Sequence, residues 1–154
     1  MATVWYNMNT QDWATLERVL EISLEGPSEA LVERYVDNVV QEIKNLVRER
    51  SDETTGELEN SITGDVWDEG DGVWSGFISS SAEHAIWVEE GTGIHGPHKV
   101  PITPTYARWM VFKPRGMSKT VVAYKVEGQP GKHMFRDGLN RVIGRGGHLR
   151  RMSG

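Results

Sequence analysis

The chain has no cysteine among its 154 residues. Disulfide frameworks, thiolate nucleophiles and cysteine-ligated zinc sites are therefore excluded. Long apolar runs are also missing, since no run approaches the ~20 residues that a membrane-spanning helix needs. The first ten residues, MATVWYNMNT, lack the basic and apolar regions of a signal peptide. We therefore expect a soluble protein that is made in the cytoplasm and has no membrane partner.

An overall excess of basic charge is missing as well. The formal net charge of −5 argues against general nucleic-acid binding, because that activity needs a basic face. The C-terminal segment differs, since residues 141–151 contain four arginines and no acid. Glycines loosen this segment, which favours a flexible, solvated basic tail over residues 144–154, with contact to nucleic acid or an acidic partner as the alternative.

Familiar catalytic motifs are not found in the sequence. Ser75 lies in GVWSGF, which lacks the Gly-x-Ser-x-Gly spacing of a nucleophile elbow. The segment GQPGK is too short for a phosphate-binding loop, and neither Ser nor Thr follows Lys132. We therefore predict no catalytic residue, no enzymatic activity and no cofactor.

The segment HAIWVEEGTGIHGPHK, residues 84–99, is the best candidate for metal chemistry. His95 and His98 lie three residues apart with Glu89 upstream, and zinc takes histidine and carboxylate ligands. In metalloproteases, however, the two histidines are four residues apart on a rigid helix, whereas this pair flanks Gly96 and Pro97. A shaped loop without a metal is favoured, and a metal-assisted hydrolase that uses Glu89, His95 and His98 is the alternative.

Helical periodicity is clearest over residues 28–50. Five apolar residues form a near-heptad seam on one face: Val32, Val36, Val39, Ile43 and Leu46. This spacing predicts one long amphipathic helix. Four apolar residues with a similar spacing predict an earlier helix over residues 10–25: Trp13, Leu16, Leu20 and Leu24. Shorter helices are expected at residues 82–90 and 132–143.

Turn signals predict two β-hairpins. The first surrounds DEGDG, with strands near residues 62–68 and 72–80, and the second joins ARWMVFK to KTVVAYKVE through PRGMS. In KTVVAYKVE, apolar and polar positions alternate from Val122 to Glu127, as in a half-exposed strand. The order of elements predicts an α+β fold with N-terminal helices, a mainly antiparallel sheet of about four to five strands, and a short C-terminal helix. A chain of this length fits a single domain, residues 1–154.

Two further features point away from chemistry and towards assembly. The chain contains six tryptophans, several of them near expected turns. Tryptophan is favoured at interfaces, although filling a lean core is the alternative explanation. The loop at residues 91–105 contains three prolines and is long for a compact domain, and such loops are commonly functional.

Three segments, in order, resemble the neck, or tail-completion, proteins of long-tailed bacteriophages. They are TGELENSI at 55–62, HAIWVEEGT at 84–92 and GKHMFRDGLNRV at 131–142. The resemblance covers roughly residues 28–143 and leaves residues 1–26 as an N-terminal arm or helix. The residues that match the family pattern are Thr55, Gly56, Leu58, Ser61, Ile62, Ala85, Val88, Glu89, Gly91, Thr92 and Phe135. His84 and Glu90 depart from it.

The resemblance implies a structural protein of the virion neck, at the head–tail junction. Identical subunits would form a ring with six-fold symmetry that joins the DNA-filled head to the tail. The ring would dock on a head-side adaptor or stopper and on a tail terminator or tail tube protein. Genomic DNA would pass through its lumen without sequence-specific binding. A tail terminator at the same junction and a domesticated cytoplasmic binding module are the alternatives.

The resemblance also indicates which residues meet a neighbour. Gly91 would end a short helix, and Glu89 would be a structural or inter-subunit acceptor for Arg108 or a backbone amide. The basic tail is expected to face a neighbouring protein. The candidate interface residues are Glu89, Gly91, Thr92, His95, His98, Arg108, Trp109, Arg150 and Arg151.

Overall fold

A computed structural model describes residues 2–9, 16–24, 29–50, 56–114 and 117–146. The chain forms two compact units, residues 1–86 with 133–154 and residues 87–132. The first unit contains β1 (Ala2–Asn9), β2 (Leu16–Leu24), α1 (Glu29–Arg50), α2 (Glu57–Ser61), β3 (Ile62–Gly70), β4 (Val73–Ser80) and α4 (Met134–Gly146). The helix α3 (Ala85–Glu90) begins in the first unit and ends in the second. The second unit contains a 3-10 turn (Gly93–His95), β5 (Met110–Phe112) and β6 (Val121–Ala123).

This architecture confirms the predicted α+β class, with antiparallel hairpins, one long helix and a short C-terminal helix. The first unit holds a four-stranded sheet in the order β1-β2-β4-β3. Its β3–β4 hairpin pairs Ile62 with Ser80 and Asp68 with Trp74, close to the predicted strands. Asp71 and Gly72 form the turn, and both have positive φ angles. Hairpin turns with such angles favour Asp-Gly, which explains why DEGDG signals this turn.

The N-terminal helix predicted over residues 10–25 is wrong. Residues 16–24 form β2, which pairs with β1 on one side and with β4 on the other. The apolar spacing of four residues that suggested a helix also fits a strand, because four is a multiple of the strand period of two. Two neighbouring strands then decide the conformation. Residues 10–15, including Trp13, lie outside the described residues.

The long helix α1 confirms the prediction for residues 28–50. All five residues of its apolar seam are buried, from Val32 to Leu46. The helix lies against β3, β4 and α4, so that its seam forms the centre of the first unit. Among the described residues, no helix combines the length and the apolar character that crossing a membrane requires.

Helix α4 is fixed to α1 by close backbone approach and by ion pairs. A Cβ on Gly138 would lie 2.6 Å from the Cγ1 of Ile43 and 3.2 Å from its Cα, so that glycine at this position permits the close approach of the two helices. Arg141 donates a hydrogen bond to Glu42 at 3.0 Å. The helix continues to Gly146, and residues 144–146 of the predicted flexible tail are therefore helical.

The segment TGELENSI forms a joint between α2 and β3. Gly56 precedes α2 with φ of 71°, and Leu58 and Ile62 are buried. The Ser61 hydroxyl donates a hydrogen bond to the Leu58 carbonyl at 2.7 Å and shares another with the Ser80 hydroxyl at 2.6 Å. These contacts assign the segment a structural role. Thr55 lies outside the described residues.

An ion pair between α1 and α4 makes the stability of the first unit sensitive to pH. Burial opposes ionisation of Asp137, but hydrogen bonds from Arg50, at 2.6 Å, and Arg136, at 3.1 Å, outweigh it. The pKa of Asp137 is therefore lowered from its ordinary value of 3.8. A carboxyl group with a lowered pKa stabilises the fold above its ordinary pKa, and this stabilisation is lost as the pH falls through the lowered pKa.

We predict that Asp137→Asn lowers the free energy of unfolding at neutral pH by about 1 kcal/mol, the scale of a partly exposed charged hydrogen bond. The difference from wild type should shrink as the pH falls through the acid range, because wild-type Asp137 then loses its charge as well. Urea unfolding at a series of pH values measures both. A difference that is unchanged in acid would show that the carboxylate is not the source of the effect.

Candidate assembly surface

Gly91 directly follows the last residue of α3 and begins the loop of the second unit. The Gly91 N–H donates to the Trp87 carbonyl at 3.0 Å, and Gly91 has φ of 86°. This conformation confirms that glycine ends the short helix here. Within this helix, Ala85 and Ile86 are buried and Val88 is half-buried.

Two backbone segments then meet in what we call the clasp, residues 91–94 and 127–131. The Thr92 N–H donates to the Gln129 carbonyl at 2.8 Å, and the Gln129 N–H donates back to the Thr92 hydroxyl at 2.9 Å. The Ile94 N–H donates to the Glu127 carbonyl at 2.7 Å. Gly91 and Thr92, which were predicted to lie at an interface, therefore serve the internal structure of this unit.

The clasp depends on glycine because its two backbones nearly touch. A Cβ on Gly93 would overlap the carbonyl of Glu127, and a Cβ on Gly128 would overlap the carbonyl of Thr92. Both glycines also have positive φ angles, of 63° and 91°. The close approach of the backbones and the positive φ angles both disfavour a side chain at Gly93 and at Gly128.

Glu89 belongs to the second unit and is shielded from solvent. Its side chain is fully buried within the chain, at 0% exposure. A carboxylate in this position cannot contact another copy, which corrects its placement among the inter-subunit residues. Arg108, the partner suggested for it, is exposed, and its guanidinium lies 5.5 Å from the centre of the Trp109 ring.

The histidines of the metal alternative do not form a site with Glu89. His95 and His98 are both exposed, whereas Glu89 is buried. Across the part of the chain that the structure describes, no group of three or more histidine, aspartate or glutamate side chains could hold a metal ion. The two histidines thus lie on the surface of the loop.

The β5–β6 hairpin exposes an apolar face. Val111 pairs with Val122, and continuing this register places Trp109 opposite Tyr124. These four residues are 68%, 60%, 49% and 58% exposed, respectively. The alternate residues of the hairpin are half-buried: Met110, Phe112, Val121 and Ala123. We call the exposed set, Trp109, Val111, Val122 and Tyr124, the hairpin face.

Aromatic and cationic groups meet at one end of the hairpin face. The rings of Trp109 and Tyr124 pack edge to face, with centroids 6.5 Å apart. Arg108 lies over the Trp109 ring, and the Lys125 ammonium lies 5.8 Å from the centre of the Tyr124 ring. Trp and Arg are enriched where protein interfaces derive most of their binding energy.

Exposed apolar side chains are concentrated in the second unit. Among the side chains that the structure describes, ten of the twelve large apolar residues that are exposed lie in residues 87–132. Single exposed apolar residues are ordinary, but such a concentration is typical of an interaction surface. Sequence reasoning identified Trp109 and Arg108 and missed Val111, Val122 and Tyr124. Arg150 and Arg151 lie outside the described residues.

The clasp can be tested with two glycines that share a φ angle. We predict that Gly128→Ala, at φ of 91°, lowers the free energy of unfolding by several kcal/mol more than Gly70→Ala, at φ of 89°. Both substitutions strain the backbone, but nothing lies within 4 Å of a Cβ on Gly70. Urea unfolding measures the two losses. Equal losses would show that the close approach at the clasp contributes nothing.

Comparison with known proteins adds no relative to this description. No family model, curated protein or solved structure matches the chain.

Proposed function

We propose that the protein is a structural virion protein of the bacteriophage neck. It forms a ring that joins the DNA-filled head, on its adaptor or stopper side, to the tail terminator or tail tube. DNA passes through the lumen, and the protein catalyses no reaction. The observation that carries the proposal is the concentration of exposed apolar side chains in residues 87–132.

The hairpin face supports assembly through its energetics. Burying a large apolar side chain completely contributes about 1.5–3 kcal/mol. The four residues of the hairpin face are each roughly half exposed, so that covering them makes on the order of 4 kcal/mol available before the cost of association. This free energy is gained only when another protein surface covers the hairpin face.

The segments that resemble neck proteins also have coherent roles. Leu58, Ile62, Ala85 and Phe135 are buried, as expected of residues that specify a fold. The loop that follows α3 is fixed by the clasp. The resembling residues thus form the framework, and the loop and hairpin of the second unit carry the apolar surface.

Charge supports a role as a conduit for DNA. A net charge of −5 disfavours adhesion of the phosphate backbone to the subunit. A ring of identical subunits provides a lumen without any chemical group that reads sequence. In this role the chain supplies a ring of defined geometry and needs no catalytic group.

The exposed face itself offers a prediction. We expect the double substitution Val111→Thr, Val122→Thr to weaken self-association about tenfold or more, because it replaces apolar methyl groups with hydroxyls and keeps the β-branched shape. The stability of the subunit should change little, because both residues are exposed. Val100→Thr, at 58% exposed and outside the hairpin, is the matched control. Sedimentation equilibrium compares the three proteins, and equal weakening by the control would assign no special role to the hairpin face.

The ring can be tested by native mass spectrometry before and after chelation. We expect a closed oligomer whose mass is a whole multiple of 17.3 kDa, alone or with neck partners, and unchanged by the chelator. Electron microscopy of the same sample should show a central opening. A monomer that carries stoichiometric metal and loses it on chelation would favour the hydrolase instead. A stable monomer bound to a non-virion protein would favour the binding module.

A further inference from the structure

Charge is strongly segregated along the chain. Residues 51–98 contain eleven Asp or Glu and no Lys or Arg, whereas residues 99–132 contain seven Lys or Arg and one acid, Glu127. The second unit, residues 87–132, has a formal charge of +4 from seven bases and three acids, and the rest of the chain has −9 from ten bases and nineteen acids. The net charge of −5 therefore conceals two regions of opposite sign.

The negative charge reaches the surface on the β3–β4 hairpin, which we call the acidic hairpin. Four acids there are exposed: Asp65, Asp68, Glu69 and Asp71. Trp67, 38% exposed, stands among them, and its ring packs against Phe77 at 5.7 Å between centroids. The acidic hairpin thus presents carboxylates around an aromatic ring.

The positive charge reaches the surface around the hairpin face. Four exposed cations belong to the β5–β6 hairpin or adjoin it: Arg108, Lys113, Lys119 and Lys125. We call this the basic hairpin. It presents cations around an apolar face, so that its charge pattern is complementary to that of the acidic hairpin.

We propose that the acidic hairpin of one copy docks on the basic hairpin of the next copy. This inference rests on the proposed function and deepens it, because it names the two surfaces through which the subunits of the ring meet. Trp67 of one copy would lie on the hairpin face of its neighbour, with Asp65 and Glu69 opposite Lys113 and Lys125. Apolar burial supplies the attraction, and the surrounding ion pairs set the orientation.

The sign of the charges favours contact between unlike hairpins. A two-fold dimer through either hairpin alone would place like charges against each other, which opposes association. A single contact between one acidic and one basic hairpin leaves one patch of each kind free on the resulting dimer. Such an interface repeats and closes into a ring when the rotation between copies allows it.

Single-stranded nucleic acid is the rival occupant of the basic hairpin. Cations beside stacking aromatic rings also suit a phosphate backbone and its bases. A second copy is favoured because it accounts for both hairpins, whereas nucleic acid would leave the acidic hairpin without a role. The experiment below separates the two occupants.

The test is a charge exchange in the full chain, measured by sedimentation equilibrium from about 10 µM to about 1 mM protein. The acidic variant alters the acidic hairpin and carries Asp65→Lys and Glu69→Lys. The basic variant alters the basic hairpin and carries Lys113→Glu and Lys125→Glu. We expect wild type to self-associate, less strongly at about 0.5 M salt than at about 0.05 M. Each variant should associate at least about tenfold more weakly, since the substituted side chains then face groups of their own sign and the hairpin that carries them loses its net charge.

Restoration of the charge pattern provides the internal control. The protein with all four substitutions has the signs exchanged at the four positions that face each other across the contact, and it should associate within about threefold of wild type. An equal mixture of the acidic and basic variants should also associate. Two routes to recovery keep the test decisive even if one combination folds poorly.

Several outcomes would overturn the contact. They are a wild-type monomer at all concentrations, association that either variant leaves unchanged, or failure of both routes to recovery. Binding of a fluorescent single-stranded oligonucleotide that is lost only in the basic variant, together with a monomeric wild type, would assign the basic hairpin to nucleic acid.

Failure of the contact and failure of the ring are distinguishable. Closed rings that are indifferent to salt and to both variants would overturn the contact and leave the proposed neck function standing. Charge-dependent chains that lengthen without closing would support the contact and count against the ring.

Discussion

Burial of the α1 seam is the interaction on which the first unit depends. A helix of 22 residues with Val32, Val39 and Leu46 on one face is stable only if that face is covered. Strands β3 and β4 cover one side of the helix, and α4 covers another. Because α4 comes from the end of the sequence, this packing brings distant parts of the chain together. The helix at the centre of the first unit thereby fixes the β3–β4 hairpin.

The second unit is held together differently. Backbone hydrogen bonds across the clasp, with Gly93 and Gly128 in near contact, fix two loops without using apolar side chains. Backbone order that does not depend on side-chain burial leaves the side chains of the loop and hairpin available for other contacts. This is a physical reason why one stretch of chain can be ordered and yet expose Trp109, Val111 and Tyr124 to water.

The sequence predicted these elements unevenly, for identifiable reasons. The seam of α1 has a period that only a helix satisfies, and the DEGDG turn signals its hairpin directly. Residues 16–24 were misassigned because a spacing of four fits both helix and strand until the neighbouring strands decide. Alternation over residues 122–127 indicated two faces, but it could not show that Val122 and Tyr124 are exposed. Burial of a face depends on what packs against it, which a local pattern does not contain.

In the proposed ring, opposite charge on two separate hairpins would also have a consequence for the lumen. If the acidic and basic hairpins pair between copies, their charges neutralise each other at the contact, and the remaining surface of the proposed ring would keep the acidic excess of the chain. The groups that join the subunits would then be withdrawn from DNA, and those that remain would repel it. The proposed arrangement of charges would thus favour assembly and keep the passage open.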